Sequence, residues 1–397
     1  MEFNTIMYVL AAAVCAGLVA FATTPPVRAL AYYIGAIDVP LDKRRMHKKP
    51  TPLIGGLAIY FGFTLASALF CDYTGNLVAI WIGGTVLVIV GILDDKYRLS
   101  ALLKLFIQIG VALIAVFVCD VSISYITLFG KSIVLGMWEV PVTVLWIVAL
   151  TNAINLIDGL DGLACGISAI CSASISCVML LAGDYTSAML TLILTASCIG
   201  FIPFNRNPAR IFMGDTGALF LGYSLSIISV GGLFKVHTAI SFLLPLIVFA
   251  LPLFDTFNAI IRRVLSGRSP FSPDKGHLHH KLVAMGFTQK ESVKILYAIC
   301  ALMGLVSVVF TETMFNKTRT VKAIVLLAAA LIILYVNYIV MKNPASRLHS
   351  GLFEDEKKTA YRKLKRKVEI ATILADRMDD SVGNTENTNE GESGKNE

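Results

Sequence analysis

The sequence predicts an all-α, polytopic integral membrane protein with about eleven transmembrane helices, its N-terminus outside and its C-terminus cytoplasmic. Three observations carry that prediction. Of the 397 residues, 56% are hydrophobic and only 15% charged, and the mean hydropathy is +0.73. Apolar stretches of about 18 residues or more, long enough to cross a hydrocarbon core, recur along the chain. They are continuously apolar, without the alternation of a barrel strand, so helices must satisfy the backbone in lipid.

The expected spans are 5–24, 53–71, 77–93, 101–119, 141–153, 163–182, 186–204, 216–234, 238–261, 289–311 and 320–341. The first run, Ile6 to Phe21, is followed rather than preceded by basic residues (Arg28, then Lys43 to Lys49). A secretory signal has the opposite polarity, so the run reads as a retained span. With the N-terminus outside, the inner loops 25–52, 94–100, 154–162, 205–215 and 262–288 hold fifteen Lys and Arg. The outer loops 72–76, 120–140, 183–185, 235–237 and 312–319 hold four. That excess marks the cytoplasmic side. Residues 342–397, not used in choosing the orientation, add eleven more on the same side. This positive charge belongs to the membrane surface, and no nucleic-acid partner is expected.

Local signals refine the ends. Pro141 suits the first turn of the fifth span. Thr288 with Glu291 forms a capping-box pattern opening the tenth. The 120–140 segment has room for a small hairpin or an interfacial segment. The expected domains are a multi-span unit at 1–345, a charged helical cytoplasmic tail at 346–378 and a disordered end at 379–397. The K-L-K-R-K run at 363–367 suits anionic headgroups, and the Asn, Glu, Gly and Ser beyond it suit disorder. The eight cysteines form no C-x-x-C pair and sit in or beside apolar runs, as small buried side chains do.

Five polar segments fall on the inner side. Asp94 and Asp95 end the third span, where adjacent carboxylates need a cation, a proton or a basic partner; Lys96 or Arg98 would serve if the pair only marks the boundary. In N-A-I-N-L-I-D-G-L-D-G, polar side chains recur at Asn152, Asn155, Asp158 and Asp161, close to one helical face. Gly159 and Gly162 predict a helix break into a loop open to close ligand approach. Asp215 lies in M-G-D-T-G and, as a purely structural residue, would be the N-cap of the eighth span. Asn205, Arg206, Arg210 and Phe212 precede it in the same loop. His277, His279 and His280 lie in the largest inner loop, beside Arg262, Arg263, Arg268 and Lys275. Histidines can hold zinc, but no cysteine is near, and the carboxylate-rich loops suit a hard cation with the histidines facing phosphate. His47 to Gly56 supplies Lys48, Lys49 and a Gly pair. Together these suggest one cytoplasm-facing pocket for a Mg²⁺-bound diphosphate, with Mn²⁺ as a substitute.

The segments G-I-L-D-D, N-A-I-N-L-I-D-G-L-D-G-L, F-N-R-N-P-A-R-I-F-M-G-D-T-G and H-L-H-H resemble the motifs of the polyprenyl-phosphate N-acetylhexosamine-1-phosphate transferases (glycosyltransferase family 4 type). The four motifs stand in the family's order, and the resemblance spans about residues 25–285. The resemblance implies a Mg²⁺-dependent transfer of a sugar 1-phosphate from a UDP-sugar to a membrane polyprenyl phosphate, releasing UMP. By position it implies Asp94 and Asp95 as paired catalytic aspartates, with Asp158 and Asp161 in the nucleotide-facing catalytic loop and Asn155 and Asp215 as metal contacts. It implies substrate-binding roles for Lys48, Lys104, Asn152, Asn205, Arg210, Phe212, His277, His279 and His280, with Asn205 and Phe212 at the uridine end and His279 and His280 near the diphosphate. The G-H-L-H-H-K-L stretch resembles the bacterial UDP-GlcNAc branch, which uses undecaprenyl phosphate and opens teichoic acid, O-antigen or related glycan assembly. The UDP-MurNAc-pentapeptide branch of peptidoglycan synthesis is the alternative, and its P-I-H-H-H-type stretch is absent. The expected location is the plasma membrane, with the active site facing the cytoplasm and homodimerisation left open. A cation-coupled transporter is the rival class. It calls for polar groups at mid-span, whereas these carboxylates cluster at helix ends.

Overall fold

The computed structural model describes residues 3–39, 50–128, 131–235, 242–267, 269, 276–315, 327–329 and 331–336. All described elements lie in one compact unit, Met1–Ile339. The expected tail segments and most of the eleventh span lie outside the described residues, as does Lys48.

The helices are α1 (Phe3–Ile34), α2 (Gly56–Phe70), α3 (Gly75–Tyr97), α4 (Ala101–Cys119), α5 (Glu139–Ile157) and α6 (Leu163–Ala182). They continue with α7 (Tyr185–Asn205), α8 (Gly214–Gly231), α9 (Leu243–Val248), α10 (Ala250–Leu265), α11 (Leu278–Ala284) and α12 (Gln289–Phe315). The fold is all-α and polytopic. Among the described residues, seven helices are long and apolar enough to cross a membrane: α1, α3, α4, α5 with the turn before it, α6, α7 and α12. Two antiparallel pairs accompany them. β1 (Ile37–Asp38) pairs with β2 (Thr51–Pro52), and β3 (Tyr125–Leu128) with β4 (Lys131–Val134). The second pair is the hairpin that the length of the 120–140 segment allowed.

Most span ends follow the sequence pattern, and the departures have local causes. α1 runs through Pro25 and Pro26 to Ile34 instead of stopping near residue 24. Val27 and Ala31 beyond the prolines are buried in the core, so packing overrides the helix-breaking tendency. The expected ninth span, 238–261, holds two described helices that meet at Phe249. Pro252 has no N–H to offer the carbonyl of Val248, four residues earlier, so one continuous helix loses a rung there. The Cys171 thiol donates to that carbonyl instead, at 3.3 Å. The expected capping box opens α12. Thr288 N and Oγ1 donate to Glu291 Oε2 at 2.9 and 2.8 Å, and Glu291 N donates back to Thr288 Oγ1 at 3.3 Å.

The centre of the bundle is α8. Every residue from Thr216 to Val230 is buried, as befits a helix apolar on all sides. It packs against α2, α3, α5, α6 and α7. Its N-terminus therefore has a fixed place among the ends of its neighbours, and Asp215 is its second residue.

Candidate active site

The site is assembled around the start of α8. α3 ends at Tyr97, and the left-handed Arg98 (φ 56°) turns the chain, its N–H bonding to Asp94 O at 2.8 Å. Asp94 Oδ1 accepts from Leu99 N at 2.6 Å, and Oδ2 accepts from Lys104 Nζ at 2.7 Å. The partner of Asp94 is thus Lys104, from the first turn of α4, rather than Lys96 or Arg98. The same Nζ lies 2.7 Å from Asp215 Oδ2. Asn155 Nδ2, in the last turn of α5, donates to Asp215 Oδ1 at 3.0 Å. Four helices thus hold one chain of charge and dipole: Asp94, Lys104, Asp215, Asn155.

Asp95 does different work. Its Oδ1 accepts from Asp215 N at 2.9 Å, and its Oδ2 accepts from Thr216 N at 3.2 Å and Thr216 Oγ1 at 2.7 Å. The first N–H groups of a helix have no partner within it, and here a carboxylate from another helix supplies one. This corrects the reading of Asp215 as an N-cap. α8 begins at Gly214, and α3 caps it. Gly91, one turn before Asp95, permits the approach, since a Cβ there would lie 2.4 Å from Thr216 Cα. The side chain of Asp215 is thereby free to face Lys104 and Asn155.

The second half of the site is the loop between α5 and α6. The expected helix break occurs after Ile157, and Gly162 closes the loop at φ +78°. Asp161 Oδ2 accepts from Asn207 Nδ2 at 2.9 Å and from Ala209 N at 3.0 Å, tying this loop to the one between α7 and α8. Asn205 Nδ2 donates to Ile211 O at 3.0 Å and shapes the same turn. β2 braces it from outside. Phe212 N donates to Pro52 O, Gly55 N to Phe212 O and Gly56 N to Met213 O, each at 2.9 Å. Asp95, Asp158, Asp161, Asn205, Phe212, Asp215 and His280 open onto one cavity of about 340 Å³.

The structure therefore brings together Asp94, Asp95, Lys104, Asn155, Asp158, Asp161, Asn205, Phe212, Asp215 and His280. Four expected site residues stand apart. Asn152 Nδ2 donates to Gln108 Oε1 and to Val148 O, within the bundle. Arg210 is exposed, and its side chain does not line the cavity. His277 is buried against Asp255, with Nδ1 2.9 Å from Oδ2. His279 is buried between the His277 ring and Gly159. The sequence reading missed Gln108, Asn207, Asp255 and the Asp38 carboxylate on the cavity wall. Gln108 and Asp255 carried a usable signal. Each is a polar residue inside an expected apolar span, and Gln108 falls one helical turn beyond Lys104.

Asp158 opens onto the cavity, yet protein surrounds it, and burial together with the nearby Asp215, Asp95 and Asp161 carboxylates pushes its pKa up to about 8. Its ordinary value is 3.8. The native state thus prefers the protonated acid. The stability that Asp158 contributes is complete below its ordinary pKa and is lost as pH rises through about 8. Without divalent cations, the Tm of the wild type is expected to fall more steeply than that of Asp158→Asn as pH rises from about 5 to about 9. Thermal unfolding in detergent with a chelator checks this, and parallel curves would refute it. His279 moves the other way. Burial and the neighbouring His280 and His277 depress its pKa to about 4, so it is neutral near pH 7.

Among the described residues, no group of three His, Cys, Asp or Glu is placed to hold a metal ion. Asp215 brings a carboxylate, and Asn155, whose NH₂ donates to it, brings an amide. That donor set fits a hard cation that brings phosphate oxygens and water as its other ligands, as Mg²⁺ does.

A bundle of membrane-length helices with carboxylates, amides, a lysine and a histidine gathered around a cavity defines a membrane protein with a polar, charged site. The model of the family described as Glycosyl transferase family 4 matches residues 77–233. The chain is 44% identical over 290 residues to the probable undecaprenyl-phosphate N-acetylglucosaminyl 1-phosphate transferase of Bacillus subtilis (strain 168), covering 72% of this chain and 80% of that protein. It is 34% identical over 342 residues to the decaprenyl-phosphate N-acetylglucosaminephosphotransferase of Mycobacterium tuberculosis (strain H37Rv), covering 78% and 84%. It is 28% identical over 307 residues to the undecaprenyl-phosphate alpha-N-acetylglucosaminyl 1-phosphate transferase of Escherichia coli (strain K12), covering 76% and 83%. The chain belongs to glycosyl transferase family 4.

Proposed function

We propose that this protein transfers N-acetylglucosamine 1-phosphate from UDP-GlcNAc to undecaprenyl phosphate, giving undecaprenyl-diphosphate-GlcNAc and UMP. The observation that carries the reading is a pair of cavities of opposite character, one walled in part by α5 and the other by the loop that follows it. One is the acidic cavity. The other, of about 630 Å³, is walled almost wholly by apolar side chains, including Trp146 and Ala149 of α5 and Leu253 and Phe257 of α10. Ala149 lies three residues before Asn152 and six before Asn155, so the groove wall at Ala149 stands about 9 Å along the helix axis from the asparagine that bonds Asp215. A long isoprenoid with a phosphate head matches that sequence of surfaces. The names of the relatives supply the acceptor class and the sugar. The motif resemblance supplies the UDP donor.

In this mechanism an oxygen of the lipid phosphate attacks the sugar-bearing phosphorus of the UDP-sugar. One phosphoanhydride bond forms, one breaks, and UMP leaves with the bridging oxygen. The exchange is nearly balanced energetically, so positioning and charge neutralisation do the catalytic work. Asp215 and Asn155 would hold Mg²⁺, which when bound neutralises diphosphate charge. Lys104 sits between the two carboxylates and supplies positive charge on the acceptor side. Asp94 orients the lipid phosphate and accepts its proton where one is present. Phe212 offers an aromatic face for uracil, and His280 a donor for phosphate. The oxygens of Asp95 cap the backbone N–H groups of Asp215 and Thr216, so freeing them for a covalent bond would uncap α8, which favours a positioning role and direct attack over a phospho-aspartate. The active site faces the cytoplasm, by the basic bias of its loops.

UMP release by the purified protein in detergent, with UDP-GlcNAc, undecaprenyl phosphate and Mg²⁺, tests the reading. Release that needs all three supports it. Release only with UDP-MurNAc-pentapeptide would move the chain to the peptidoglycan branch. Ala149→Trp, which fills the groove, is expected to raise KM for undecaprenyl phosphate by about tenfold or more and to leave KM for UDP-GlcNAc near wild type. Equal effects on both would place the acceptor elsewhere.

A further inference from the structure

Asp255 has no place in the mechanism above, yet it is a buried carboxylate on α10, the helix whose Leu253, Phe254 and Phe257 wall the apolar groove. Both of its oxygens are used. Oδ2 is 2.9 Å from His277 Nδ1, and Oδ1 accepts from Leu278 N at 2.9 Å, at the start of α11. The contacts continue inward. The His277 and His279 rings stack at 5.7 Å with their planes 9° apart. The His279 ring lies on Gly159, where a Cβ would be 2.3 Å from Nε2. Gly159 sits between Asp158, which opens onto the cavity, and Asp161, which ties the loops together. His279 itself is 2% exposed, and its Nδ1 makes no hydrogen bond. A buried ring whose Nδ1 has no polar partner holds its place by packing against the His277 ring, the His280 ring at 4.3 Å and Gly159, so fixing His277 helps to fix His279 and the backbone beneath it.

We propose that Asp255 is a positioning residue for the transfer reaction: through His277 and His279 it braces the backbone at Gly159 and so sets where Asp158 stands. The inference rests on the transferase reading for its kinetic consequence but not for the brace itself. It reassigns His277 and His279 from ligands to struts and leaves His280 as the histidine of this motif that meets substrate. A carboxylate bonded to Nδ1 fixes the imidazole's tautomer and orientation. Its loss should appear as misalignment of the reacting groups rather than as weaker binding of the lipid.

Two readouts on the full chain in detergent test this. Hydrogen exchange of peptides covering 157–163 is expected to speed up in Asp255→Ala relative to wild type. Unchanged exchange there would overturn the brace, whether or not the protein shows transferase activity. In UMP release, Asp255→Ala is expected to lower kcat roughly 10-fold or more, comparable to the loss of a carboxylate that orients a metal-bound histidine. KM for undecaprenyl phosphate should stay near wild type. His277→Gln should have a similar effect, and the double variant should be no worse than the weaker single one. If Asp255→Ala does not fold, Asp255→Asn keeps an acceptor for Leu278 N while losing the charge. It should show a smaller loss of kcat with the same faster exchange. Wild-type kcat in either folded variant would overturn the inference. An inactive wild type with faster exchange in the variant would instead count against the proposed donor and acceptor, with the brace standing.

Discussion

Asp215→Asn is expected to abolish UMP release, lowering kcat by at least about 10²-fold, with little change in how the protein elutes or unfolds. The substitution keeps size and shape. The bonds from Asp95 go to the backbone N–H of Asp215 and to Thr216, so the cap on α8 survives. What is lost is charge. Oδ2 accepts from Lys104 and Oδ1 from Asn155, and an amide must turn its NH₂ toward one of these donors, setting donor against donor. A hard cation loses its carboxylate ligand at the same stroke. Lys104 keeps Asp94 as a partner, which limits the structural cost. The check is UMP release across a Mg²⁺ titration, beside thermal unfolding. Wild-type kcat/KM for Asp215→Asn would remove this residue from the reaction. Recovery of full kcat at high Mg²⁺ would confine it to metal affinity.

Much of this site was legible before any coordinates, because the segments carrying it are polar islands in apolar sequence. Asp94, Asn155 and Asp215 stood out as ionisable or amide groups at the ends of long apolar runs, where burial without purpose is costly. The fold class followed from the same contrast. The division of labour among the carboxylates was not legible. Asp94 and Asp95 are neighbours in sequence, but a helix turns successive side chains by about 100°. One therefore meets Lys104 on α4 while the other meets the start of α8. The histidine motif shows the same limit. Three histidines within four residues looked like one ligand cluster. The short helix α11 points His277 at Asp255, packs His279 on Gly159 and leaves only His280 on the cavity wall. In the expected ninth span, the carbonyl that Pro252 leaves without a donor is taken up by Cys171, far away in sequence, a partner that no local pattern shows.

Gly56→Ala should damage the fold and the site together. Gly56 is the first residue of α2, and a Cβ there would lie 2.0 Å from Gly217 Cα and 2.1 Å from Gly217 N, in the first turn of α8. Both atoms are backbone, so no side-chain rotation can relieve the overlap, and one helix must move. α2 is anchored there by the bonds from Gly55 N to Phe212 O and from Gly56 N to Met213 O. Any shift is passed to Phe212 on the cavity wall and to Asp215, two residues after Met213. Overpacking of this kind costs on the order of 3 kcal/mol. The expected result is a lower Tm and, in the protein that remains folded, UMP release reduced more than the loss of folded material explains. Gly110→Ala is the control. It also lies within a membrane-length helix, α4, but nothing is within 4 Å of the position its Cβ would take. Alanine there should leave Tm unchanged or slightly raised, because it is the better helix former. If Gly56→Ala matched Gly110→Ala in both Tm and activity, the backbone contact between α2 and α8 would not be what holds Asp215 in place. The cap from Asp95 would then have to do so alone.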